Sequence, residues 1–490
     1  MQRMRGMHGP RPVITAVADQ NPAAVGNPDR GRRPWSLMVV LSVAQFMVIL
    51  DATVVNVALP SIARSLSFAA GGLQWVVTAY VLVSGGLVLL GGRAADVAGR
   101  RRIFLAGLVL FTAASLASGL APAAGALIAA RAGQGLGAAL LTPAALSIIT
   151  TSYAGAQRAT ALGVWGAIGG AGAAVGVLAG GILTTWLGWR SVFLVNVPVG
   201  VVAGLLSLHL VPRHEPRRRL VRELDLAGAA LAVAGLVAAA YAIAGAPAHG
   251  WGSARTLLLL TLAFVLLAAF AAVERSARRP LVPGQIWRTR SLVAGVLVML
   301  GATGILVGTF FLNSLYLQEV QHASPLRVGL EFLPLTLVIG AGAHLASRLL
   351  PRAGSRALIV AGLVLMGGGA LLLTGVSARS GYLTGFLPGL LVVGIGTGLV
   401  FPATTVTAMS DIAEDRAGLA SGLMTTAHEI GAALGVAVFS AAAVAIGGGI
   451  AAGYRHGFMV AAAVAAGLAV FAALAVPAVR PAAGARMAVH

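Results

Sequence analysis

The sequence predicts an all-α polytopic membrane protein with fourteen transmembrane helices, arranged as two six-helix bundles with a helix pair inserted between them. Three observations point there. Of the 490 residues, 58% are hydrophobic and only 10% are charged, whereas a soluble domain is about 45–50% apolar and about 25% charged. Apolar runs of about 18 residues or more, enough to cross a bilayer as a helix, recur from Trp35 to Val476. The arginines fall mostly on one side of those runs.

In chain order, residues 1–34 are polar and rich in Arg, Pro and Gly. They lack the apolar core of a signal peptide behind a basic start, so a disordered cytoplasmic tail is expected. Spans at 36–59, 72–91, 103–121, 125–150, 159–183 and 191–211 make a first bundle over 35–211. Spans 226–246 and 255–273, with basic cytoplasmic loops, make the insertion over 212–290. Spans 291–316, 328–347, 357–376, 383–408, 417–446 and 457–477 make a second bundle over 291–477, followed by a cytoplasmic tail over 478–490. The runs are counted between charged or Pro/Gly breaks, and span 1 stops just before Pro60, a residue that lacks an N–H and crowds the preceding turn.

Orientation follows from charge. There is no lysine. With the N-terminus inside, 27 of the 34 arginines lie on the inner side. Arg64, Arg190, Arg255, Arg327, Arg379 and Arg455 lie outside, and Arg131 lies within a span. A missed span would invert every later loop and erase this bias. The net charge of +20 therefore has a topological cause, and nucleic acid is not an expected partner. A multi-pass protein of the cytoplasmic membrane with both termini inside is expected, with the lipid bilayer as its surroundings.

The chain also repeats itself. "GGRAADVAGRRRIFLAGL" (91–108) and "ASRLLPRAGSRALIVAGL" (346–363) each join two spans on the inner side by a short Gly/Arg turn. "RATALGVWGAIGG" (158–170) and "RAGLASGLMTTAHEIGAALG" (416–435) each open a Gly-rich outward span. Spans 1–6 thus resemble spans 9–14, the repeat logic of many transporters.

Four motifs in order resemble the major facilitator superfamily, and within it the fourteen-span drug/proton antiporters of the EmrB/QacA type. They are "LDATVVNVALPSI" (50–62), "GGRAADVAGRRRIF" (91–104), "RAGQGLGAALLTPAALSII" (131–149) and "WRSVFLVNVPVG" (189–200). The resemblance covers about residues 35–477 and implies the major facilitator fold, proton coupling for the Arg131 motif and close helix packing at Gly135. The fifth-span antiporter motif departs from its usual Gly-Pro-x-x-Gly-Gly. In "GVLAGG" (176–181), Val177 stands where proline is expected, while the packing glycines Gly176, Gly180 and Gly181 remain.

Charges inside spans are the sharpest functional signal, since each is costly unless it faces protein or water and finds a partner. Asp51 lies about 22 Å up span 1 and Arg131 about 9 Å down span 4 from the other side, so both sit at one depth in a core of about 30 Å. The pair is either a permanent strut between spans 1 and 4 or a proton- and substrate-linked pair that opens. Glu429 lies about 18 Å into span 13, near midplane, and is a second proton or cation candidate. Its neighbour His428 points about 100° away and reads as an ordinary helix contact. Glu331, four residues after Arg327, is either an i, i+4 ion pair or a cavity carboxylate. Gly92, Asp96, Gly99, Arg100 and Arg101 form a candidate gating loop whose charges bridge the halves when the inner side is shut. The other acids lie in tails, loops or span ends, so Asp51 and Glu429 are the two deep carboxylates.

Cysteine is absent, which removes disulfides and thiolate metal sites. There is no GxSxG elbow, P-loop or HExxH. No enzyme activity, cofactor or metal is expected. The expected function is proton-coupled efflux of small hydrophobic drugs or antibiotics by alternating access, with protons and the small-molecule cargo as partners. A same-fold exporter of one metabolite or natural product remains the alternative, ahead of a membrane enzyme or sensor.

Overall fold

The computed structural model describes residues 35–68, 72–153, 155–212, 225–276, 280–377, 380–413, 416–445 and 450–480. The tail expected over 1–34, most of that over 478–490 and the basic segment 213–224 lie outside the described residues. The ordered helices are α1 (Trp35–Leu66), α2 (Trp75–Ala98), α3 (Arg100–Gly119), α4 (Ala124–Ser152), α5 (Gly155–Leu187), α6 (Ser191–Leu194), α7 (Asn196–Leu210), α8 (Leu226–His249), α9 (Ala254–Ser276), α10 (Arg290–Glu319), α11 (Pro325–Ala353), α12 (Ser355–Thr374), α13 (Leu387–Met409), α14 (Ala417–Val444) and α15 (Ile450–Ala475). Among the described residues, fourteen helices are long and apolar enough to cross a membrane, α6 and α7 counting as one.

Packing follows the sequence repeat. In the first six spans α2 and α3 pack on α4, and α1 packs on α5; in the last six α11 and α12 pack on α13, and α10 packs on α14. Small residues permit this. A Cβ on Gly137 would come within 2.6 Å of the Phe111 amide nitrogen, and one on Gly362 within 2.6 Å of the Gly396 carbonyl. Such approach is how helices associate in lipid, where burial of apolar surface supplies no driving force.

The two short Gly/Arg turns are built alike. Gly99 (φ +96°) starts α3 and Gly354 (φ +79°) starts α12, a backbone region that side-chain-bearing residues avoid. Two residues later, Arg101 donates through Nη2 to the Leu208 carbonyl at the end of α7, and Arg356 donates through Nε to the Val476 carbonyl after α15. Each guanidinium satisfies a carbonyl that a helix end leaves open. The inserted helices α8 and α9 pack on each other, and α8 lies against α2 and α14. Asp225 caps α8, accepting from the Gly228 N–H at 2.8 Å.

Several boundaries differ from expectation. Pro60 does not end α1, which continues to Leu66. The sixth span breaks at Val195 into α6 and α7. A 3₁₀ turn occupies Gly284–Arg288, and a π turn at Tyr382–Phe386 opens the twelfth span. α15 starts at Ile450 rather than near 457, because the Arg455 side chain is exposed and interrupts nothing buried.

Candidate functional site: a buried ion-pair cluster, a free carboxylate and a cavity

Asp51 of α1 and Arg131 of α4 meet, as their matching depths require, and both are fully buried. Arg131 donates through Nη1 to Asp51 Oδ2. Two further donors reach Asp51 Oδ1 at 2.8 Å, Gln134 Nε2 and Asn196 Nδ2. Gln134 follows Arg131 by three residues and so shares its helix face. Asn196 gets there because the break at Val195 restarts the helix beside Asp51.

The cluster extends outward. Arg131 donates through Nε to the Val76 carbonyl at 2.8 Å and through Nη1 to Gln134 Oε1 at 3.0 Å. Gln134 donates to Ser115 Oγ and accepts from Ser118 Oγ. The Arg131 guanidinium carbon lies 4.4 Å from the Tyr80 ring centroid, a cation–π distance. Five spans are thus tied to one ion pair. Gln134, Asn196, Tyr80, Ser115 and Ser118 were not singled out from the sequence, although Gln134 and Asn196 lie inside the quoted motifs. The close approach of α2 and α4 rests on Gly135, whose absent side chain leaves room for the Tyr80 carbonyl and the Ser84 amide.

Glu429 of α14 presents the opposite case. It faces Gly85 of α2, where a side chain would collide with the Glu429 Cβ. Among the described residues its carboxylate makes no hydrogen bond and no ion pair. His428 turns away: its Nδ1 lies 3.1 Å from Thr303 Oγ1, and its ring packs edge-on to Phe401.

A cavity of about 480 Å³ opens between α2, α4, α14 and residues 280–283, at the arginine-rich end. Gly92, Asp96, Thr142, Ser147 and Thr425 line it. Thr425 precedes Glu429 by one helical turn, which sets Glu429 just deeper on the same face. A Cβ on Gly92 would touch only Pro143, at 3.6 Å. Asp96 at the mouth lies 3.8 Å from Arg100, its own i, i+4 neighbour, and Arg101 holds α7 as described. In this conformation no described hydrogen bond or ion pair links Asp96, Arg100 or Arg101 to the second six spans.

The opposite end is closed. Gly180 of α5 packs on Val54 of α1, and Gly176 on Thr53. Gly181 abuts Leu326 of α11, whose Cα would lie 2.8 Å from an added Cβ, and Gly329 of α11 abuts the Val177 carbonyl. With Val177 in place of the helix-bending proline, α5 is continuous. Glu331 sits at this closed end and does not line the cavity. It makes the i, i+4 pair with Arg327, Nε to Oε1 at 2.7 Å, and its backbone carbonyl accepts from the Tyr382 hydroxyl.

Comparison with known proteins places this arrangement. The chain is 45% identical over 435 residues to a puromycin resistance protein of Streptomyces alboniger, covering 88% of this chain and 85% of that one. It is 41% identical to a cephamycin export protein of Amycolatopsis lactamdurans, covering 82% and 83%. Among solved structures it resembles the peptide-transporter-family protein PepTSo, with a TM-score of 0.65 at 16% identity over 90% of this chain and 98% of that one, a likeness of fold. The Major Facilitator Superfamily profile matches residues 41–436. The chain belongs to the Major Facilitator Superfamily.

Proposed function

We propose that this protein is a proton-coupled exporter of hydrophobic drugs or antibiotics, with the arginine-rich end and both termini in the cytoplasm. The observation that carries the reading is the contrast between the two deep carboxylates. Asp51 already accepts from three donors, one of them charged, so taking a proton would displace a partner. Glu429 has no partner among the described residues and lies one turn beyond the cavity. A carboxylate that is deep, free and next to a cavity is the group able to exchange a proton for a cargo molecule.

On this reading cargo enters the cavity from the cytoplasmic side, between α2 and α14. The two six-span bundles, 35–211 and 291–477, rock about the midplane. Glu429 takes a proton when the outer side opens and loses it to the cytoplasm when the inner side opens. The Asp51–Arg131 cluster keeps the first bundle rigid, and Asp96 with Arg100 is available to bridge the halves once the inner end shuts. The cavity offers hydroxyls, one acid (Asp96), one arginine (Arg93) and apolar walls, which suits neutral hydrophobic cargo.

The relatives named for puromycin and lincomycin resistance support drug efflux. A second reading, export of one natural product, is favoured by the relatives named for cephamycin and tetracenomycin C export. Expression in a drug-sensitive host separates them. Broad efflux raises tolerance to several unrelated antibiotics and collapses with an uncoupler; a dedicated exporter raises tolerance to one scaffold. Unchanged tolerance and no cargo movement in vesicles would sink both.

A further inference from the structure

α1 runs through Pro60, and a proline inside a helix leaves the carbonyl four residues back without its hydrogen-bond donor. That carbonyl belongs to Asn56. In a membrane span such a group must be satisfied by a neighbour, because lipid offers no donor. Ser314 of α10 donates to the Asn56 carbonyl at 2.9 Å, and Gln318, one turn on, donates through Nε2 to the Val57 carbonyl at 3.0 Å. Gln318 Nε2 also reaches Ser314 Oγ at 3.3 Å, so the hydroxyl accepts from the amide while donating to α1. Ser314 is fully buried and Gln318 is nearly so.

The donors come from the other half of the molecule. α1 belongs to the first six spans and α10 to the last six, and the contact lies toward the closed end, opposite the arginine-rich cavity. A second bond spans the same end: the Leu326 N–H, left open at the start of α11, donates to Thr185 Oγ1 of α5 at 3.1 Å. We propose that Ser314 and Gln318 form an outer latch on the carbonyls at the Pro60 bend of α1, a bond set that the closed outer end needs and that the outward-open state must break. In the open state water entering the cleft replaces Ser314 and Gln318, so the latch is reversible. A helix without Pro60 would satisfy Asn56 internally and give Ser314 little to hold.

The proposal rests on the alternating-access reading, but its test does not need transport. The chain has no cysteine, so a single Val177→Cys, buried at the α5–α11 seam, reports opening by its labelling rate with a membrane-impermeant maleimide added outside intact cells. Leu187→Cys, exposed at the end of α5, serves as the reference for insertion and folding. The combined Ser314→Ala and Gln318→Leu variant should label about five- to thirtyfold faster at Val177→Cys, the size expected from two modest buried hydrogen bonds, with the Leu187→Cys rate unchanged. Ser314→Thr, which keeps the hydroxyl, should match the parent. In a Pro60→Ala background Ser314→Ala should add little. Parental labelling in the combined variant, or an undiminished Ser314→Ala effect in Pro60→Ala, would overturn the latch. Loss of the Leu187→Cys signal in the combined variant moves the decision to the Ser314→Thr and Pro60→Ala comparisons. A parent that moves no drug would count against the transport reading and leave this labelling result standing.

Discussion

Replacing Asp51 by Asn removes one charge at nearly constant shape, and the cluster geometry sets what that does. The amide oxygen still accepts from Gln134 and Asn196, which both reach Oδ1. The other position becomes an NH₂ facing Arg131 Nη1, donor against donor. Arg131 is left fully buried without its counter-charge, and its Nη2 already has no hydrogen-bond partner. Removing one member of a buried pair costs about 3–5 kcal/mol. Arg131→Met should cost a similar amount, by stranding Asp51. The double variant removes both charges and should recover much of the loss, giving a coupling energy of roughly 2 kcal/mol or more in a double-mutant cycle. The assay is thermal unfolding of the purified proteins in detergent, compared as shifts in Tm. If the two single effects simply add, within about 0.5 kcal/mol, the pair is not the strut described here.

Other predictions follow from single contacts. Gly85→Val should lower drug efflux severely while the protein still inserts, because the new side chain meets Glu429 where α2 and α14 touch; a drug-tolerance assay with a membrane-fraction blot checks this. Gly99→Ala and Gly354→Ala should each destabilise by about 1–3 kcal/mol, since both glycines have positive φ; equal Tm to the parent would refute the turn geometry. Glu331→Gln should change stability by less than about 1 kcal/mol, because the Arg327 partner is 56% exposed, and should leave the efflux rate unchanged. A large efflux defect there would place Glu331 in the cargo path after all.

The sequence carried more of the fold than of the site. Fourteen spans and their repeat were readable because apolar length and the arginine bias are strong, additive signals. The meeting of Asp51 with Arg131 was readable too, since rise per residue converts position into depth once orientation is known. The rest of that cluster was not. Gln134 and Asn196 are neutral, and no depth argument marks a neutral polar residue as a partner. Asn196 reaches Asp51 only because the chain breaks at Val195, a feature that apolar periodicity does not reveal. Pro60 misled for a related reason. Local chemistry says that proline ends a helix, but Ser314 and Gln318, more than 250 residues away in the chain, supply the donors that let α1 continue. Likewise, a deep position in a span made both Asp51 and Glu429 candidates. Their difference lies in partners, three donors on one and none described on the other, and partners are a property of the folded chain.

The central claim is that Glu429 is the carboxylate that trades a proton for cargo. It is tested most directly in proteoliposomes with a pH-sensitive dye inside, by adding a drug to which the protein confers tolerance and recording the proton movement that follows. The parent should give a drug-dependent pH change, and Glu429→Gln should abolish it while the purified variant still binds the drug and keeps the parental Tm. A full drug-induced pH change in Glu429→Gln would contradict the account.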